Sequence, residues 1–83
     1  MNDHELIDQY IEPNPYHPGI ADARLRGYGV SVRALIAYDE AVHHDVDRVA
    51  RDYRLPREAV EAALAYYRQH QDVIDARRAA DVA

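Results

Sequence analysis

Two adjacent histidines, His43 and His44, with Asp45 and Asp47 just beyond, are the side chains whose types could hold a metal ion. Their spacing argues against it. Neighbouring residues on a helix point about 100° apart, so the pair cannot grip one ion from one face as an i, i+4 pair does. His4, His17 and His70 stand alone in the chain. The expectation is no metal site and no cofactor, with the pair closing a helix, where partial positive charge suits the dipole. Catalysis finds no better support. Asp39 and Glu40 are consecutive, whereas a catalytic carboxylate pair needs opposed geometry across a cleft. There is no cysteine, no glycine-rich phosphate loop and no Ser/His/Asp order with a supporting motif. The chain reads as a non-enzyme.

The chemistry that remains belongs to arginine. Ten positive residues, all Arg, face fifteen acids, for a formal charge of -5. A GC-rich coding bias explains the absence of Lys more simply than function does. Guanidinium groups can hold phosphates, which fix register, or read base edges in the major groove. Arg48, Arg51 and Arg54 are candidates for phosphate contact. Arg57 is a candidate for base contact near the start of a helix, and Arg68 lies further along its outward side. Glu58 and Glu61 oppose that use, since each would face a negative backbone, and the net charge is wrong for a basic reader. The other reading of the same residues is a solvated face whose Arg and Glu pairs add a few tenths of a kcal/mol each.

The elements that must position these arginines lie between Asp45 and Tyr67. Val46, Val49, Ala50 and Tyr53 form an apolar stripe at helical spacing, and Asp45 stands before it as an N-cap. Leu55 and Pro56 interrupt it. A second stripe follows at Ala59, Val60, Ala63, Leu64 and Tyr67, with Pro56 suited to the first turn of the new helix. Two amphipathic helices and a tight corner make a helix-turn-helix candidate, with Arg54 at the corner where many such units place Gly. Upstream, Ser31 can cap a helix from Val32 to Val42 that carries Val32, Leu35 and Ile36 on one side. Ile20 to Val32 is the one plausible strand region. Ala23 and Leu25 alternate with Arg24 and Arg26, Gly27 and Gly29 could turn a hairpin, and Gly29 to Val32 could return. Glu5 to Tyr10 could be a short helix, marginal in length alone. Glu12 to Gly19, with three prolines, is a turn-rich loop. Gln71 and Asp72 mark a bend or cap, and Val73 to Ala80 can form a last helix.

At 83 residues, 48% of them hydrophobic, the chain suits one small packed domain and not a disordered segment. With no Phe or Trp, seven tyrosines supply the aromatic bulk, and their hydroxyls place several at the core's edge or in an interface. No apolar run approaches the roughly 20 residues that span a bilayer, and MNDHELIDQY has no signal-peptide pattern. With cysteine absent, the expectation is a cytoplasmic protein with no membrane contact. The division expected is an N-terminal arm and Pro-rich loop over 1–19, a β-hairpin plus three-helix core over 20–71, and a helical tail over 72–83. Open strand edges on the arm and hairpin suit a homodimer.

The order of these features resembles the bacterial and archaeal family known as domain-of-unknown-function family 433. The likeness rests on Leu25-Arg26-Gly27, on Val49-Ala50-Arg51-Asp52-Tyr53-Arg54-Leu55, and on Ala59-Val60-Glu61-Ala62-Ala63-Leu64-Ala65-Tyr66-Tyr67. It closes with His70 and Val73-Ile74-Asp75, covering about Ile11 to Asp75. Where the family has G-T-R-I-P-V, this chain has Gly27-Tyr28-Gly29-Val30-Ser31-Val32, which leaves the turn type open. The resemblance implies a mainly α, homeodomain-like three-helix fold. It also implies a VapB-like antitoxin of a type II toxin-antitoxin system, neutralising a PIN-like nuclease toxin and autoregulating its operon as a dimer on operator DNA. Such nucleases hold metal through clustered carboxylates, so the tail's Arg77 or Arg78 could enter that cluster, with Val73 and Ile74 as anchors. The plainer reading of the tail is a frayed terminal helix. The alternative function is a protein-interaction module with the same fold that does not bind DNA.

Overall fold

The computed structural model describes residues 2–82. Met1 and Ala83, the outer limits of the arm and tail as read from the sequence, lie outside them. Among the described residues there are five α-helices and one two-stranded antiparallel sheet, so the protein is mainly helical.

Three of the five helices start where a short polar side chain takes an orphan N–H. In α1, Asp3–Tyr10, the Asn2 side chain accepts from the Glu5 N–H at 2.9 Å. In α2, Val32–Ala41, Ser31 Oγ accepts from the Ala34 N–H at 3.0 Å. In α3, Val46–Tyr53, Asp45 accepts from the Arg48 N–H at 3.1 Å. The helix α4, Arg57–Gln69, follows Pro56, which stands just before the helix and not inside its first turn. The last helix, α5, Gln71–Val82, begins directly after His70 and so runs longer than Val73 to Ala80.

The strand expectation needs correction. The strand β1, Ile11–Glu12, pairs with β2, Arg24–Leu25, in the register Ile11 to Leu25 and Glu12 to Arg24. The partner of the Arg24 segment is therefore the end of the N-terminal arm. The return after Gly29 contributes single bonds only, from the Leu25 N–H to the Val30 carbonyl at 2.7 Å and the Val32 N–H to the Ala23 carbonyl at 3.0 Å. Gly27 and Gly29 both have positive φ, 83° and 72°, which fold the chain back there. Ile20–Asp22 is a 3-10 turn.

The core gathers around α4. Ala59, Val60, Ala62, Ala63 and Ala65 are all buried, a wider arc than the single stripe expected. Alanine lets neighbours come close from several sides, and α1, α2 and α3 all pack on this helix. Leu6 and Ile11 from the arm, Leu25, the α2 residues Val32, Leu35 and Ile36, Val49 from α3 and Ile74 from α5 complete one cluster. The arm helix is thus part of the packed body, and its short length is compensated by tertiary contact. The tyrosines ring this core as expected: Tyr10, Tyr38, Tyr53, Tyr66 and Tyr67 pack on it half-exposed. Their hydroxyls reach outward, Tyr66 to the Ile20 carbonyl at 2.8 Å and Tyr67 to Asp75 at 2.7 Å.

Candidate nucleic-acid interface and C-terminal arginine cluster

The α3–α4 corner is built by Arg54, which takes a left-handed conformation with φ 57° and ψ 48°. The Leu55 N–H then reaches the Ala50 carbonyl at 2.8 Å and Leu55 turns into the core, the arrangement that usually selects Gly. Arg54 is exposed and makes no ion pair among the described residues. The other arginines of this face are occupied. Arg48 and Arg51 flank Asp52 at 3.5 and 3.6 Å, and Asp52 also accepts from the Tyr38 hydroxyl. That hydroxyl, and then the two arginines, hold the Asp52 carboxyl below its ordinary range. Arg57 bonds Glu61 at 2.8 Å and also reaches Asp47, so its charge is further secured. Arg68 lies 3.4 Å from Asp3 of α1.

Over residues 45–70 five acids (Asp45, Asp47, Asp52, Glu58, Glu61) balance five arginines (Arg48, Arg51, Arg54, Arg57, Arg68). The face is neutral, and four of its five guanidiniums already have carboxylate partners. Helix α4 also has little free surface. Its exposed residues are Arg57, Glu58, Arg68 and Gln69, and Glu58 accepts from the Tyr10 hydroxyl at 3.1 Å. A helix that enters the major groove needs side chains free to meet base edges. Of the five arginines named from the sequence, Arg54 alone meets that condition.

In the tail the four named residues part company. Val73 is exposed, but Ile74 is only 1% exposed and belongs to the core, so it is not free to anchor a partner. Arg77 bonds both carboxylate oxygens of Asp22 at 3.0 Å and approaches Asp81 at 3.5 Å. Arg78 pairs with Glu40 of α2 and with Asp75 at 3.2 Å, its guanidinium carbon 6.0 Å from the Tyr67 ring centroid. The two adjacent arginines thus serve different partners. A residue that sequence reading passed over shares the partners of Arg77: Arg33 of α2 bonds Asp22 at 2.7 Å and forms an ion pair with Asp81 at 2.7 Å. Hydrogen bonding from Arg33, aided by the charge of Arg77, holds the Asp22 carboxyl below its ordinary range.

Asp39 is the second group missed. It is 3% exposed, its Oδ2 lies 2.6 Å from His44 Nδ1, and its Oδ1 has no hydrogen-bond partner among the described residues. The signal was present in the spacing, since position 39 lies four beyond Leu35 and three beyond Ile36 on the buried stripe. His43 and His44 both have positive φ, 58° and 63°, and so make a turn after α2 rather than its last residues. Among the described residues no group of three or more His, Asp or Glu side chains is placed to hold a metal ion. Among the described residues no helix is long and apolar enough to cross a membrane.

Comparison of the chain with protein-family models, curated proteins and solved structures returned no match.

Proposed function

We propose that this chain is a small, non-catalytic binding protein of the antitoxin type, acting in the cytoplasm on a PIN-like nuclease through its C-terminal helix. The observation that supports the reading is the set of guanidiniums from Arg33, Arg77 and Arg78 around α5, each already bound to carboxylates. Such groups are geometrically suited to take carboxylates from an acidic protein surface. The family resemblance supplies the nuclease as the partner of that chemistry. A homodimer belongs to the same reading, with no further strand beyond β1 among the described residues and with Ile20 and Tyr28 half-exposed nearby in sequence.

The test is inhibition of a PIN-like nuclease by the full chain and by a truncation after Asp75. That cut keeps Ile74 in the core and leaves Asp75 for the Tyr67 hydroxyl. Full inhibition by the truncated chain would remove the distal part of α5, with Arg77 and Arg78, from the account.

The second reading is an operator-binding helix-turn-helix formed by α3 and α4 in a homeodomain-like arrangement. Exposed Arg54 and Arg51 at one corner favour it. It predicts a shift of the chain's own upstream DNA that weakens steeply with salt and is lost in Arg54→Ala. The ion-paired face makes protein binding without DNA the better supported of the two.

A further inference from the structure

Beyond Ile74 the last helix meets the body of the molecule through charge. Ile74 is the one buried residue of α5, and from Asp75 to Val82 none is. What ties this half down is a closed ring of two arginines and two aspartates. Arg33 bonds Asp22 at 2.7 Å, Asp22 bonds Arg77 at 3.0 Å, Arg77 approaches Asp81 at 3.5 Å, and Asp81 returns to Arg33 at 2.7 Å. A second tie joins Arg78 to Glu40 near the end of α2. Between α2 and α5 there is a groove of about 590 Å³ lined by the small Ala34, Ala37 and Ala79 together with the charged Arg33, Arg78 and Asp81, so the helices do not interlock there.

We propose that Asp75–Val82 is an ionic strap, closed on the body by the Arg33–Asp22–Arg77–Asp81 ring and opened when an anionic protein surface takes over its guanidiniums. This rests on the partner reading given above and adds the internal ties that hold its three guanidiniums when that partner is away. Asp22, Glu40 and Asp81 then act as internal stand-ins for the partner's carboxylates. Exchanging one carboxylate for another leaves each guanidinium paired, and no residue of the strap leaves a buried position when it opens. Partly exposed ion pairs contribute little each, and a ring spares some ordering cost because each side chain serves two partners. Ile74 remains the root about which the strap swings. Once open, eight residues are too few to stay helical alone.

Hydrogen exchange of the backbone amides of Arg77 to Val82, followed beside those of α4 in the isolated protein, tests the strap without any partner. Raising salt from ~0.1 M to ~1 M shortens the screening length from about 10 Å to about 3 Å. The strap amides then exchange several-fold faster while α4 stays protected. Asp22→Asn produces the same selective loss at low salt, and so does Arg77→Gln, which leaves the 3-10 turn untouched. Two outcomes overturn the proposal: strap amides that follow α4 unchanged in salt and in both variants, or amides unprotected even at low salt. Nuclease inhibition enters neither outcome, so the partner reading stands or falls separately.

Discussion

Arg54, His43 and His44 hold the left-handed conformation at the two corners that flank α3. That conformation costs a residue with a Cβ about 1 kcal/mol, which glycine avoids. Arg54→Gly therefore raises stability by about 0.5–1 kcal/mol in urea unfolding, the looser unfolded chain offsetting part of the gain. At the other corner the strained turn brings His44 to the buried Asp39 carboxylate, 2.6 Å away. His44→Ala strands that carboxylate and lowers stability by about 1–3 kcal/mol, the cost of an unsatisfied buried acceptor. An unchanged midpoint in urea would mean that Asp39 keeps another partner. These corners were half legible. Asp45 and Ser31 declared themselves as caps because a cap is a contact between residues three apart. The pairing of Asp39 with His44 depends on two positive φ values that no residue type there announces.

At the scale of elements, α5 has two parts with different physics. Its first turn is docked by Ile74, so Ile74→Ala costs about 2–5 kcal/mol by lost burial and an unfilled cavity. Val73→Ala, on the exposed side, changes stability by less than about 0.5 kcal/mol. Equal effects at the two positions would contradict the placement of α5. The distal part is held by carboxylates and so answers to pH. Asp22 has its folded pKa lowered by Arg33 and Arg77, so its contribution is full above the unfolded value, near about 4. That contribution is lost as the pH falls through the lower folded value. Urea midpoints measured on the acid side therefore fall less steeply in Asp22→Asn than in the parent chain. The apolar stripes that define α2, α3 and α4 were readable because they repeat every three or four residues. Strand β1 was not, because two residues ended by Pro13 carry no period, and their partners lie fourteen and twelve residues on. The bond from Arg77 to Asp22 spans fifty-five positions and leaves no local pattern at all.

Over the whole molecule the charge is unevenly placed. Of the surplus of five acids, four fall within residues 1–19, which have no arginine, and one within 71–83. Residues 20–44 and 45–70 are each balanced. The acidic arm helix packs against α4, and its Asp3 neutralises Arg68, so the net charge bears directly on the face that would read DNA. The composition announced that conflict, and the fold gives its location. What carries the account is α5 and its arginines meeting an acidic partner. The measurement that bears on this most directly is inhibition of a PIN-like nuclease by the parent chain and by a double variant, Arg77→Gln with Arg78→Gln. Their unfolding is compared in parallel. The account predicts inhibition by the parent chain and, in a folded double variant, a loss of at least ~10-fold, or about 1.4 kcal/mol in binding. A folded double variant that inhibits as well as the parent chain, or a parent chain that does not inhibit, would contradict it.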